Sequence, residues 1–368
     1  MILNQIRINA LFCFKEVEYD ENMSDLEKSI LATLAYDDVL ERPLTGWEVF
    51  RYLIRSNPKG LSSRSRPRFR QSRGISKATL YEQSLNFERI LETLDNSPAL
   101  AKLIGQKNGF YFLKDRTGLV KQRITRQKLA DQRWGRIRRM IKLLQSIPYI
   151  RLIMLSGSLA MNNPKKESDI DLLIVTKAGR IWTCRALTTL FIHLLGQRRH
   201  DHLTENRFCL NHYLTDRSLK VPFPSLYNAQ TYAHLISLWQ AEAGLYQKFQ
   251  KANRWLNDYL FFYPISQKGY FREIKSNWFF TFLRESREFI LDSKLGDVLE
   301  LILRKIQSRR ISHDDLTYQA GGRVVFDNNQ LEFHPDSPEK GILEKYNQRI
   351  KELGLADWGE EKDSGLRM

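Results

Sequence analysis

The apolar positions along the chain change period repeatedly, and each change predicts a change of structure. Leu26, Ile30, Leu31 and Leu34 recur at helical spacing behind the capping box Ser24-Asp25-Leu26-Glu27. A second box, Thr45-Gly46-Trp47-Glu48, opens another helix carrying Val49, Tyr52 and Leu53. A third helix is expected over Lys77–Leu94. Two short apolar runs, Leu103–Gln106 and Tyr111–Leu113, then flank Asn108-Gly109, a strong hairpin signal. Three helices followed by a hairpin is the order of a winged-helix domain. A long helix follows, with Leu119, Ile124, Leu129, Ile137, Ile141 and Leu144 at near-helical spacing between arginines and lysines, ending near Ile147-Pro148.

Beyond Pro148 the pattern becomes strand-like. Tyr149–Leu155 (YIRLIML), Ser168–Thr176 (SDIDLLIVT) and Arg207–Leu214 (RFCLNHYL) read as strands, with a helix over Gly179–Leu195 between the second and third. From Ser225 the chain returns to helical spacing through Tyr232, Leu235, Leu238, Trp239, Leu245, Tyr246 and Phe249. The aromatics Trp255, Tyr259, Phe261, Phe262 and Tyr263 are expected as core rather than as a base-stacking surface. A small hairpin around Asp327-Asn328-Asn329 and a helix over Glu339–Leu353 complete the chain. The fold class expected is α+β with an α/β core. The divisions expected are an extension (1–22), a winged-helix-like domain with an Arg-rich insertion (23–115), a basic linking helix (116–147), an α/β core (148–220), a helical region with a small hairpin (221–356) and a tail (357–368). Met23 stands directly before the first capping box, so either Met1 or Met23 can be the natural start.

Composition sharpens this reading. Of 368 residues, 42% are apolar, enough for ordinary cores and too many for a disordered polymer. The net charge is +16, and it is concentrated. Arg55–Arg73 holds seven basic residues and no acid, and Lys114–Lys142 holds eleven basic residues against Asp115 and Asp131. These two segments carry the whole excess, so nucleic acid is a candidate partner for them. The alternative for both is a solvated loop and a helix whose arginines face water. Three cysteines cannot form a disulfide framework, and the lack of a C-x-x-C pair argues against a zinc site of the usual kind. No apolar run approaches the roughly 20 residues that span a bilayer. The expectation is a soluble, cytoplasmic protein.

The chemistry concentrates in Gly157-Ser158, ten intervening residues, then Asp169-Ile170-Asp171. Residues i and i+2 of a strand share a face, so the two carboxylates point the same way and repel. A divalent cation relieves that repulsion, and hard oxygen donors select Mg²⁺ or Mn²⁺. Gly157 allows close backbone approach, and N–H groups at a helix start attract anions. An NTP triphosphate is the natural occupant. Lys165, in the loop between the motif halves, is a candidate phosphate contact.

The Gly-Ser bend followed by Asp-x-Asp resembles the DNA polymerase beta-like nucleotidyltransferase superfamily over Tyr149–Thr176, and in element order to about Leu214. With PLT at Pro43–Thr45, GSLAM at Gly157–Met161 and CLNHYL at Cys209–Leu214, the chain also resembles uncharacterised bacterial nucleotidyltransferase-domain proteins. The resemblance implies a minimal nucleotidyltransferase mixed sheet. It implies transfer of a nucleoside monophosphate from an NTP to an acceptor hydroxyl, with Gly157 and Ser158 at the phosphates and Asp169 and Asp171 on Mg²⁺. Members of the superfamily usually add a third carboxylate on the later strand. Here Asn211 or His212 stands nearest that position, and Asp201, Glu205 or Asp216 are loop acids that could substitute. The competing expectation is a degenerate transferase fold that binds nucleic acid as a regulator.

Overall fold

The computed structural model describes residues 23–55, 85–200, 203–264 and 272–355. The extension 1–22, most of Arg55–Arg73, the start of the expected third helix, Asp201 and the tail 357–368 lie outside the described residues.

The N-terminal unit begins with α1 (Asp25–Val39) and α2 (Gly46–Arg51), each opened by its expected capping box. Between them Leu44–Thr45 forms a short strand, β1. The next helix among the described residues, α3, covers Phe87–Asn96, within the range expected for the third helix; Asn86 caps it by accepting from the Arg89 amide at 2.8 Å. Ser97 then caps α4 (Pro98–Leu103), an element the apolar spacing did not signal. Strands β2 (Ile104–Lys107) and β3 (Phe110–Leu113) form the expected hairpin, with Asn108 and Gly109 both at positive φ as a tight turn requires. The sheet order is β1-β3-β2.

The basic helix is α5 (Gly118–Leu144), and three of its arginines depart from the alternative in which they face water. Arg123, Arg126 and Arg133 are buried, whereas Ile124 is 38% exposed. Acceptors explain the exchange. Arg123 donates to Glu48 at 2.7 Å and to the carbonyls of Met161 and Asn162. Arg126 reaches Glu41 at 2.8 Å and the Asn163 side chain at 3.0 Å. Arg133 donates to three carbonyls, of Ser168, Lys165 and Lys166. A buried guanidinium with this many partners is tolerated where an unpaired one would not be. Thus α5 clamps the N-terminal unit to the loop that precedes Asp169.

The central sheet is mixed, with six strands. Strands β4 (Ile150–Leu155), β5 (Ile170–Thr176) and β6 (Phe208–Thr215) are the three expected from their apolar runs. The single-turn helix α6 (Gly157–Ala160) follows β4, and α7 (Ile181–Leu194) joins β5 to β6, which pair in parallel. After α8 (Leu226–Ala233), Ile236–Gln240 is strand β7. It adds to β4 at the edge and so corrects the helical reading of Leu238 and Trp239. The apparent helical register spans a break at His234, which ends α8. Helices α9 (Leu245–Ala252), α10 (Trp278–Leu291) and α11 (Lys294–Ser312) follow. The hairpin β8 (Arg323–Phe326) and β9 (Gln330–His334) joins the other edge through β6, before the last helix α12 (Glu339–Glu352). The sheet order is β7-β4-β5-β6-β9-β8. Strands from both sides of the 148–220 segment's C-terminal boundary therefore share one sheet.

Alternation divides the core. Ile153, Leu155, Leu172 and Ile174 pack beneath α5 and α7, while Met154, Leu173 and Val175 join α1, α8 and α12 on the opposite face. Trp255, Tyr259, Phe261 and Phe262 pack against the second of these clusters, as expected for core aromatics.

Candidate active site

The bend after β4 and the start of β5 meet at one point. Gly157 adopts φ +68°, in the left-handed region, and a Cβ built on it would lie 2.2 Å from Oδ2 of Asp171. Only glycine lets the backbone approach this carboxylate so closely. The Ser156 amide donates to the Asp171 carbonyl at 3.0 Å, which fixes the bend to the strand. Ser158 is half-buried in α6, and its carbonyl accepts from the Asn163 amide at 2.8 Å. Because α6 has only four residues, its dipole is small; individual N–H groups are what it offers an anion.

Asp169 and Asp171 converge as the i, i+2 spacing predicts. Across the parallel pairing Asp171 is in register with Cys209, and ligand atoms of Asp169, Asp171 and Cys209 lie within 4.8 Å of one another. Asp171 keeps a partly accessible edge, yet burial first, and the Asp169 charge second, push its carboxyl up to about 7. Arg199, Cys209 and Asn211 oppose that shift. Arg199 donates to Asp169 at 2.7 Å and lies 3.6 Å from Cys209 Sγ. Burial and the two carboxylates push the Cys209 thiol well above its ordinary range, so it contributes no negative charge at pH 7.

The other residues singled out separate cleanly. Asn211 reaches Asp171, with its amide nitrogen 3.4 Å from His334 Nδ1. His212 is buried and faces Glu332 of β9 instead. Asp216 accepts from the Ala178 amide at 3.0 Å, and Glu205 lies on an exposed turn. Lys165 is exposed; its amide donates to Ser168 Oγ at 2.9 Å, and its charge favours the ionised form of Glu41. Cys209, Arg199, His334 and Glu332 were missed in the sequence. For Cys209 a signal existed: it lies two residues before Asn211 on the strand expected beside Asp-x-Asp.

The donor set fits a hard divalent cation. Two carboxylates face one way, one of them poorly ionised until a cation arrives, and glycine leaves room beside them. Asn211 can add a carbonyl oxygen but no charge. Among the described residues no helix is long and apolar enough to cross a membrane. No curated protein and no solved structure matches the chain. Residues 137–222 match the family model of the nucleotidyltransferase domain, so the chain carries a nucleotidyltransferase domain over that stretch, consistent with the DNA polymerase beta-like superfamily.

Proposed function

We propose that the protein transfers a nucleoside monophosphate from an NTP to an acceptor hydroxyl, with Asp169 and Asp171 holding Mg²⁺ or Mn²⁺. The carrying observation is the approach of Gly157 to Asp171, which stability alone does not require. Bound cations would supply charge neutralisation at the triphosphate and activate the acceptor oxygen for in-line attack, with pyrophosphate leaving. The chain's own groups have narrower tasks. Gly157 and Ser158 present backbone N–H groups to phosphate oxygens. Asn211 orients Asp171, and Lys165 sits on the loop nearest an incoming phosphate chain.

The test is direct. Full-length protein is incubated with α-labelled NTPs, Mg²⁺ or Mn²⁺ and candidate hydroxyl acceptors, and NTP binding is measured in parallel by calorimetry. Metal-dependent NTP binding that Asp169→Ala and Asp171→Ala abolish supports the reading. Binding or transfer unchanged in those variants overturns it.

A second reading rests on a specific observation: Cys209 and Asn211, neither of them acidic, face Asp171, and Arg199 already pairs with Asp169. On this reading the fold is a degenerate transferase that binds nucleic acid as a regulator. Its N-terminal unit acts as a winged-helix-like module, and Lys121, Lys128, Arg136, Arg138, Arg139 and Lys142 form the exposed basic remainder of the helix. A gel shift across ionic strength decides: affinity that falls steeply with salt supports it, and absence of binding at low salt removes it.

A further inference from the structure

Beside the carboxylate pair the same sheet holds a second polar cluster that the transfer reaction leaves unused. His212 of β6 is in register with Glu332 of β9, and His334 follows two residues along that strand. The side chains of His212 and Glu332 are 5% and 0% exposed, and that of His334 is 30% exposed. Donor atoms of all three lie within 4.8 Å of one another. His212 Nε2 stands 4.0 Å from Glu332 Oε2, and His334 Nε2 stands 3.8 Å from Glu332 Oε1. Both distances are too long for hydrogen bonds. His212 Nε2 has no hydrogen-bond partner. A buried ring nitrogen aimed at a carboxylate and a second imidazole, and bonded to neither, needs an explanation.

We infer that His212, Glu332 and His334 form a second cation site, built for a first-row divalent ion that favours nitrogen, with Zn²⁺ the best match. Two imidazoles and one carboxylate are an N₂O donor set that Mg²⁺ disfavours and Zn²⁺ accepts, leaving a fourth position for water. Zinc–donor bonds of about 2.0–2.1 Å put tetrahedral neighbours roughly 3.3–3.5 Å apart. Small side-chain rotations close the present gaps. His334, at the accessible end, gives the ion its way in.

The surroundings permit the charge. Burial holds both imidazoles neutral, with His212 pushed down to about 3 and His334 to about 4, so their lone pairs are available at pH 7. Arg323 approaches Glu332 at 2.6 Å, but Glu339 also holds it, at 3.1 Å. Two carboxylates and one guanidinium leave a single net negative charge for the cation to meet. Gln330 donates to Glu332 Oε2 at 2.9 Å and fixes the carboxylate plane.

The site also touches the nucleotidyltransferase centre. Asn211 Nδ2 faces His334 Nδ1, so in the metal-free ring the proton belongs on Nε2. A cation on Nε2 displaces that proton. Nδ1 then becomes the N–H donor, and Asn211 must turn its oxygen toward it. The same amide contacts Asp171, so loading one site reorients a neighbour of the other.

The experiment strips full-length protein with chelator and titrates it with ZnCl₂ in excess Mg²⁺, reading heat and bound metal. One tight equivalent is expected in wild type and in Cys209→Ser. His334→Gln is expected to lose it while keeping the wild-type circular dichroism spectrum, and His212→Gln gives a second loss if it folds. Co²⁺ in place of Zn²⁺ should show tetrahedral d–d bands without a thiolate charge-transfer band. The proposal is overturned if wild type holds no equivalent, if His334→Gln holds it unchanged, or if Cys209→Ser loses it, which would move the ion to the Asp169–Asp171–Cys209 cluster. None of these readouts depends on nucleotidyl transfer.

Discussion

The Cβ that Gly157 lacks would fall 2.2 Å from Oδ2 of Asp171 and 3.1 Å from its Cγ. Two costs therefore separate at Gly157→Ala: a left-handed backbone, about 1–2 kcal/mol, and displacement of the carboxylate. In urea denaturation the single variant should lose about 2–4 kcal/mol, because the left-handed backbone and the displaced carboxylate add. In an Asp171→Ala background the side-chain clash is gone, and only the backbone cost of about 1–2 kcal/mol should remain. Equal losses in both backgrounds would mean that the carboxylate is not what demands glycine. Transfer and NTP binding should vanish in the single variant.

Asp171 predicts an unusual pH dependence. Its folded-state value of about 7 lies above the ordinary carboxylate value near 4, because burial and Asp169 both disfavour its charge. The native state therefore holds the proton more tightly than the unfolded chain. The resulting stability is complete below about pH 4 and is lost as pH rises to about 7. Asp171→Asn mimics the protonated acid. It should match wild type in melting temperature near pH 4 and exceed it by a few degrees at pH 8. Mg²⁺ should raise the melting temperature of wild type at pH 8 and leave Asp171→Asn unmoved. A variant less stable than wild type at pH 8 would contradict the assignment.

Local pattern made part of this site legible and hid the rest for a physical reason. Gly157, Asp169 and Asp171 announce themselves because a bend and an i, i+2 carboxylate pair are properties of contiguous residues. Strands β4, β5 and β6 are visible as short apolar runs. In contrast, β7 resembles a continuation of α8, since ISLWQ is too short for period alone to separate strand from helix. His334 and Glu332 belong to the sheet only through the pairing of β9 with β6, more than a hundred residues away in sequence. The burial of Arg123, Arg126 and Arg133 is of the same kind. Their sequence neighbours describe a solvated basic helix, and only the folded chain brings Glu41, Glu48 and five loop carbonyls within reach.

Arg133 gives the clearest case of a basic residue spent on positioning. Its guanidinium ties the carbonyls of Lys165, Lys166 and Ser168, so it holds the loop that delivers Asp169. Arg133→Met keeps much of the stem's packing and removes all three bonds. The Lys165 and Ser168 carbonyls keep the Ser168 and Asn206 amides as donors, so the Lys166 carbonyl is the one left without a donor, and the loss should cost about 1–3 kcal/mol in denaturant unfolding. Below the unfolding transition, Mg²⁺-dependent NTP binding should weaken as well, because Asp169 loses its support. Arg139→Met, at an exposed position of the same helix, should change stability by less than about 0.5 kcal/mol. A similar small effect at Arg133 would show that the loop keeps its shape unaided.

Arg199 and the cation compete for Asp169. The guanidinium donates to Oδ2 at 2.7 Å, and its side chain is 46% exposed. Ion pairs so open to water are worth about 0.2–1 kcal/mol. Releasing Asp169 through Arg199→Ala should therefore lower the Mg²⁺ concentration for half-maximal NTP binding by roughly 1.4- to 5-fold. The same substitution removes a cation that can face a triphosphate, so the Kd for NTP at saturating Mg²⁺ should rise. Opposite movement of the two constants identifies Arg199 as a residue that vacates Asp169 for the metal and turns to the phosphates. If both constants weaken together, Arg199 instead supports the fold of the site. If neither moves, the pair with Asp169 has no bearing on binding.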